Sequence, residues 1–212
     1  ENELRKLNEW PYPKNSTVKL FIMAGHRNME GERAFTQDIT KRKDQELLLK
    51  DNLGVAYKYS LGGGYKVSKG WEPLGVVNYY DSFGPELSFG SFLNKKNIGD
   101  FAIAKFTHSG SQIIDWTPDG SMAKSRNLYE KFINFVKESI SEIREKGNKV
   151  RLEGIFYHIG ENDMSFGPHR TNAPRWIKSI VEQSRKDLEN EKLNWYLSQQ
   201  SPTDDKSVNK ID

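Results

Sequence analysis

The sequence predicts a three-layer α/β/α domain built around a mainly parallel sheet. Three short runs rich in apolar residues, at residues 18–24, 101–107 and 150–157, have the composition of strands, and the first is apolar almost throughout, as in strands that are buried on both faces. Segments whose apolar residues recur at helical spacing follow the second and third runs. This alternation of strands and helices is typical of a parallel sheet that is covered by helices on both sides.

The remaining elements are predicted with signals of different kinds. The clearest helix ends before Gly147, a C-terminal stop, and carries apolar residues three and four positions apart, namely Leu128, Phe132, Phe135, Val136, Ile140 and Ile143. Residues 172–174 predict the start of another amphipathic helix, and residues 43–52 a shorter one. The glycine-rich residues 61–73 predict a loop, and residues 194–199 a fourth strand.

The composition favours a single folded domain and excludes several classes of protein. The 212 residues, 35% of them hydrophobic, are enough to bury a core without disulfides or structural metals. We expect residues 1–17 to form an arm and residues 18–212 to form one domain. The net charge of +3, with no long basic block, argues against nucleic acid as a partner. Cysteine is absent, which excludes thiol chemistry, and no apolar run approaches the ~20 residues that span a bilayer.

Polar residues follow the predicted ends of three strands. They occur at residues 25–28, 109–111 and 160–163, and each group contains a glycine. In open parallel sheets, ligands bind outside the carboxyl ends of the strands. We therefore expect these three groups to face one crevice.

Four motifs in order connect the sequence to a known family. They are Ala-Gly-His-Arg-Asn-Met-Glu-Gly at residues 24–31, Phe-Gly-Pro-Glu-Leu-Ser-Phe-Gly at 83–90, Gly-Ser-Gln-Ile-Ile-Asp-Trp at 110–116 and Tyr-His-Ile-Gly-Glu-Asn-Asp at 157–163. Together they resemble the sialate O-acetylesterase and acetylxylan esterase-like branch of the SGNH hydrolases, whose pattern runs GQSNMxG, GPExxFG, GGxSxxxW and WHQGExD. The resemblance spans about residues 18–194. It implies a flavodoxin-like α/β/α fold, a carbohydrate ligand and export from the cytoplasm.

The departures from the family pattern affect the catalytic residues. Arg27 stands where the resemblance places the nucleophilic serine, and a guanidinium is permanently protonated and cannot attack a carbonyl carbon. His26 and Ile159 replace two glutamines of the pattern. The Asp-x-x-His element that supplies the family's general base does not occur in the sequence, so it is missing or lies beyond Asp212. A serine and a histidine are the minimum for this acyl transfer.

The leading hypothesis is a degenerate, non-hydrolytic esterase domain that binds a glycan or a small anionic group. The resemblance assigns the Arg27 N–H, the Gly110 N–H and the Asn162 side chain to the family's oxyanion donors. The guanidinium of Arg27 adds donors that suit an anion. No cofactor is expected, and His26, His158 and Asp163 match no established metal motif. The predicted binding residues are His26, Arg27, Asn28, Gly110, Ser111, His158, Glu161, Asn162 and Asp163.

Two alternatives stay open at this point. The protein is an active esterase if Ser111 is a relocated nucleophile, with His158 or a histidine beyond Asp212 as its base. It is a structural or interaction module if Arg27 pairs with Glu161 or Asp163 and merely fills the crevice. The sequence does not indicate an oligomeric state.

Overall fold

A mainly parallel sheet of seven strands lies at the centre of the protein, in a computed structural model that describes residues 5–42 and 45–198. The strands are β1 (Thr17–Gly25), β2 (Asn52–Leu61), β3 (Lys66–Val67), β4 (Glu72–Leu74), β5 (Phe101–Thr107), β6 (Lys149–His158) and β7 (Trp195–Leu197). Their spatial order is β3-β2-β5-β1-β6-β7, and β4 also pairs with β2. Strands β3 and β4 run antiparallel to β2, whereas all other pairs are parallel.

Strand β1 is the point at which the winding direction changes. It pairs with β5 on one side and with β6 on the other, so the chain fills one half of the sheet and then the other. The five parallel strands, renumbered one to five in chain order, have the spatial order 2-3-1-4-5, whereas flavodoxin has 2-1-3-4-5. The doubly wound plan is common to both, and it places the expected crevice at the carboxyl end of β1.

Helices cover both faces of the sheet. The α-helices are α1 (Arg27–Glu30), α2 (Thr36–Thr40), α3 (Glu86–Lys95), α4 (Tyr129–Glu145), α5 (Glu161–Met164) and α6 (Gly167–Asp187). Short 3-10 turns lie at Glu46–Leu49, Tyr79–Asp81, Ile113–Trp116 and Lys124–Arg126. None of the helices in the described part of the chain combines the length and apolar content needed to cross a membrane.

Alternate residues of β1 contribute to two separate cores. Leu20 belongs to the core formed with α4 and α6, which also contains Phe132 and Ile180. Met23 belongs to the core on the α3 side, which also contains Leu87. This division follows from the period of two along a strand, and it confirms the predicted three-layer α/β/α architecture.

The predicted strands β1, β5 and β6 and the helix α4 are confirmed, but β2 was missed. A 3-10 turn at Glu46–Leu49 replaces the helix expected around residues 43–52, of which residues 43 and 44 lie outside the described part. The sequence of β2 was not recognised as a strand because Lys58, which is buried in the structure, interrupts its run of apolar residues. The ammonium of Lys58 reaches Glu142 of α4 at 2.8 Å, so a charged residue is accommodated inside a core strand.

The start of α6 was predicted too late. The helix begins at Gly167 and has Pro168 in its first turn, where the missing N–H costs nothing. Pro174, which was taken as the start signal, lies inside the helix. The predicted fourth strand is confirmed as β7, although it is shorter than residues 194–199.

The described part of the N-terminal arm packs against the domain. Trp10 donates its indole N–H to Asn148 at 2.7 Å. Tyr12 is buried, and its hydroxyl donates to the carbonyl of Phe101 and accepts the N–H of Ala56 at 2.9 Å. Because Phe101 begins β5, the arm lies at the amino edge of the sheet, opposite the predicted crevice.

Candidate functional site

The carboxyl ends of β1, β5 and β6 meet at one edge of the sheet. Gly25 pairs with His158 in the β1–β6 register, and the N–H of His108 donates to the carbonyl of Gly25 at 3.0 Å. A side chain at position 25 cannot be accommodated, because its Cβ would lie 2.0 Å from the His158 carbonyl oxygen. This close approach brings the residues after β1 and those after β6 together.

The carboxylate of Glu161 is the centre of the polar network at this edge. Its Oε1 accepts from Asn28 Nδ2 at 2.7 Å and lies 2.9 Å from His158 Nε2. Its Oε2 lies 3.4 Å from His26 Nδ1, and the other ring nitrogen of His26 is 3.3 Å from Asn162 Nδ2. Five of the nine predicted site residues are therefore brought together around one carboxylate.

This network keeps Glu161 ionised. Burial alone disfavours the charged carboxylate, but the hydrogen bond from His158 and the neighbouring Nδ1 of His26 outweigh that effect and hold the pKa of Glu161 well below its usual range. An ionised carboxylate only accepts hydrogen bonds, so we assign the Nε2 proton of His158 to this contact. In the neutral form of the imidazole, the Nδ1 atom of His158 then carries a lone pair.

A serine that the sequence analysis did not single out lies at that lone pair. The hydroxyl of Ser198 contacts His158 Nδ1, and its side chain is exposed at the end of β7. The Ser198 N–H donates to the carbonyl of Tyr157 at 3.1 Å, which continues the parallel pairing of β7 with β6. Ser198 follows a strand, as the other polar residues at this edge do, and this position could have identified it. The sequence analysis instead included residue 198 in the predicted strand over residues 194–199.

A cavity of about 820 Å³ opens beside this network. Asn28, His158 and Ser198 line its polar part. The rest of its wall is mainly apolar and includes Phe89, Phe92, Phe156, Tyr196 and Leu197. A smaller cavity of about 350 Å³ shares Asn28 with it and is lined also by Arg33. The site thus combines a polar rim with an apolar recess, as small-molecule sites commonly do.

Arg27 does not pair with Glu161 or Asp163, so that prediction is wrong. Its Nε lies 3.2 Å from Glu32 Oε2, and both side chains are more than one-third exposed. The reason is local. Helix α1 has only four residues and is closed by Gly31 at φ +95°, so the chain folds back and brings Glu32 to Arg27.

Asp163 lies apart from the Glu161 network. Its two oxygens accept the backbone N–H of Ile113 at 3.2 Å each, and His169 Nδ1 lies 3.4 Å away. Burial raises the pKa of Asp163, although the Ile113 N–H and His169 oppose the rise. His26, His158 and Asp163 therefore do not converge, and the described residues contain no cluster of three ligating side chains suited to a metal ion.

Ser111 has a structural environment instead of a catalytic one. Its hydroxyl donates to the carbonyl of His108 at 2.7 Å and accepts the indole N–H of Trp116 at 3.0 Å. The side chain is buried, and the hydroxyl contact of His158 Nδ1 is with Ser198. The geometry therefore argues against the alternative in which Ser111 is the nucleophile and His158 is its base.

The three predicted oxyanion donors have different surroundings. The amide of Asn162 is engaged with His26. The carbonyl of Gly110 accepts from Arg126, in a turn where Gly110 has φ +82°. The N–H of Arg27 belongs to the first residue of α1, next to the His26 that contacts Glu161.

A family of known proteins matches most of the chain. The sequence model of the SASA family, described as carbohydrate esterase, sialic acid-specific acetylesterase, matches residues 17–211. The chain belongs to this family. No curated protein sequence matches the SASA chain.

Solved structures confirm the fold of this SASA domain. A protein of Arabidopsis thaliana, AT4G34215, superposes with a TM-score of 0.63 at 17% identity, over 87% of this chain and 74% of that one. NanS superposes with a TM-score of 0.59 at 14% identity, over 88% and 68%. XAC1771, a carbohydrate acetylesterase from Xanthomonas citri, gives 0.57 at 14% identity, over 84% of this chain but only 40% of its own length.

The Gly-Pro-Glu segment of this SASA domain helps to hold helix α1 in place beside the site. Glu86 and Lys105 form a fully buried ion pair, with 2.7 Å between Oε2 and Nζ. The ammonium also reaches the carbonyls of Met29 and Glu30 at 3.3 and 3.2 Å, at the end of α1. Helix α1, which carries Asn28 into the crevice, is thereby tied to β5.

Proposed function

We propose that this SASA domain binds a sugar bearing an O-acyl group in the crevice at the carboxyl edge of the sheet, and that it does not cleave the ester. The observation that carries the proposal is the charged Glu161 network standing directly beside a mainly apolar cavity. Arg27, at the position that the resemblance gives to the nucleophile, has no lone pair for attack and is paired with Glu32.

The two parts of the site suit the two parts of such a ligand. An acyl group is small and apolar, and the recess lined by Phe89, Phe92 and Phe156 offers it a surface that excludes water. The sugar hydroxyls require donors and acceptors, which Asn28 and Ser198 supply at the rim.

The charge distribution favours an uncharged acylated sugar over an anion. The guanidinium of Arg27 is compensated by Glu32, and Glu161 places a negative charge in the centre of the network. An anion entering beside Asn28 and His158 would meet that carboxylate at short range. Of the two predicted ligand classes, we therefore propose the glycan. Export from the cytoplasm, implied by family resemblance, remains part of this proposal.

Calorimetry with matched sugar pairs tests the proposal. The probes are O-acetylated xylo-oligosaccharides and, as an anionic comparison that should bind less tightly, O-acetylated sialosides, each measured beside its deacetylated form. We expect the acetylated member to bind about fourfold or more tightly, from burial of one methyl group at roughly 0.8 kcal/mol. Asn28→Ala and Phe92→Ser should weaken binding. The control is Leu53→Ala, because Leu53 is exposed and lies near the amino end of β2, away from the crevice. Equal affinity for both members of every pair contradicts the proposal.

A second function is favoured by one specific contact. Ser198, His158 and Glu161 have the mutual arrangement of a nucleophile, its base and the group that orients the base. In this mechanism Ser198 Oγ attacks the acyl carbon while its proton passes to His158 Nδ1. The sugar oxygen leaves with that proton, and water then hydrolyses the acyl-enzyme with His158 again accepting the proton.

Acetate release separates the two functions. The unmodified chain is compared with Ser198→Ala, with Arg27→Ser and with Ser141→Ala on α4 as the control. Under the non-hydrolytic proposal, the unmodified chain releases no acetate from any acetylated probe. Release that is lost in Ser198→Ala but kept in Ser141→Ala overturns it and establishes the second function. Release only by Arg27→Ser identifies Arg27 as the residue that prevents cleavage.

A further inference from the structure

Three exposed tyrosines lie together on the surface of the domain. Tyr65, Tyr79 and Tyr80, which we call the tyrosine cluster, are 79%, 41% and 91% exposed. The ring centroids of Tyr65 and Tyr79 are 5.1 Å apart, and those of Tyr79 and Tyr80 are 6.5 Å apart. Scattered exposed aromatic residues are ordinary, whereas a group of adjacent rings facing water indicates a binding surface.

The backbone that presents these rings is strained. Tyr80 and Asp81 adopt left-handed conformations, with φ of 57° and 54°. Bulky residues rarely occupy this region, and the strain persists mainly where function requires a particular presentation of side chains. Tyr80 gains no compensating burial from this conformation, because its side chain is almost fully exposed.

The tyrosine cluster is attached to the same edge of the sheet as the crevice. The carboxylate of Glu30, the last residue of α1, accepts the N–H of Gly62 at 2.9 Å and the hydroxyl of Thr107 at 2.8 Å. The carbonyl of Glu30 accepts the side-chain amide of Asn78, next to Tyr79. Helix α1 thus carries Asn28 into the crevice, and Glu30 at its end anchors the two loops that contain the tyrosines.

The rings offer open faces and polar margins. They are tilted against one another by 46° and 54° and are not stacked, so they do not cover each other's faces. Lys66 places its ammonium over the ring of Tyr79, 4.8 Å from its centroid, so the open ring faces are those of Tyr65 and Tyr80. A pyranose has the complementary form, because its C–H face is apolar and its rim consists of hydroxyls.

We propose that the tyrosine cluster is a second sugar-binding subsite, which takes pyranose rings of the same glycan whose acylated residue occupies the crevice. This inference rests on the proposed function and makes it more specific. The ligand is an oligosaccharide, and the units outside the crevice contribute to affinity by packing on Tyr65 and Tyr80.

A chain-length series tests the subsite. Acetylated xylose and acetylated xylo-oligosaccharides of two to six units are titrated calorimetrically against the unmodified protein, Tyr65→Ala, Tyr80→Phe, Tyr80→Gly and the control Leu53→Ala. In the unmodified protein, affinity should rise by about tenfold along the series, which corresponds to roughly 60 Å² of additional apolar contact. Tyr65→Ala and Tyr80→Gly should lose this rise while keeping the affinity for acetylated xylose. Tyr80→Phe should retain it.

Tyr80→Gly also distinguishes binding from a structural role. Glycine adopts a φ of 57° without strain, so this variant should unfold at a higher temperature than the unmodified protein while binding long sugars less tightly. A rise with chain length that survives in Tyr65→Ala and Tyr80→Gly overturns the inference. Acetylated xylose binding with no gain from length also overturns it and leaves the proposed function intact. If no acetylated sugar binds, both proposals fail together.

Discussion

Replacing one member of the buried Lys105–Glu86 pair should destabilise the protein far more than replacing both. Both side chains are completely buried, and their charged atoms are 2.7 Å apart. In Glu86→Leu the ammonium keeps only the carbonyls of Met29 and Glu30 as partners. In Lys105→Met the carboxylate keeps the N–H of Gly84. An unpaired buried charge costs about 3–5 kcal/mol, whereas an apolar pair of similar volume is often close to neutral.

Urea unfolding measures this difference directly. With a slope near 2 kcal/mol per molar urea, each single substitution should lower the midpoint by about 1.5–2.5 M. The double variant Glu86→Leu/Lys105→Met should lie within about 0.5–1 M of the unmodified protein, because neither charge remains. Two carbonyls at the end of α1 lose their donor in the double variant, which accounts for the residual loss. If the single costs are below about 1 kcal/mol, or add in the double variant, the reasoning is refuted.

Glu161→Gln should lower the free energy of unfolding at pH 7 and lower it by a smaller amount near pH 3. The folded-state pKa of Glu161 is depressed, so its contribution is present above its unfolded-state pKa of about 4.3 and is lost as pH falls towards the folded value; an equal difference at both pH values contradicts this. Ser111→Ala should cost about 1–3 kcal/mol in urea unfolding, because the buried indole N–H of Trp116 loses its acceptor, and sugar binding should not change. Pro174→Ala should raise the melting temperature, since alanine restores an N–H inside α6, and a lower value would show that the proline is accommodated without cost.

The layers of the fold could be predicted because their signals are local. Strand β1 is a continuous apolar run, and α4 repeats its apolar residues at helical spacing, so neighbouring residues contain the information. The signal fails where a polar residue is buried with a distant partner. Lys58 interrupts β2 in the sequence, and only the approach of Glu142 from α4, 84 positions away, makes its burial possible.

The motifs predicted that polar residues after the strands meet at one edge of the sheet, but they did not assign the contacts of these residues. Residues after β1 and β6 were expected to meet, because parallel strands end at a common edge. Which of them pair depends on differences of a few ångströms. The short helix α1 and Gly31 direct Arg27 to Glu32, and this leaves Glu161 to Asn28 and the two histidines.

By itself, the sequence determined the α/β class, the order of the main strands along the chain and the family to which the chain belongs. These follow from periodicity and from motifs in linear order. Only the tertiary structure decided what each polar side chain contacts. Ser198 reaches His158 across 40 positions through the β6–β7 pairing, and Ser111 is buried against Trp116 and so is removed from the crevice. Hydrogen bonds act over about 3 Å, so they depend on strand register and helix length, which no short segment of sequence specifies alone.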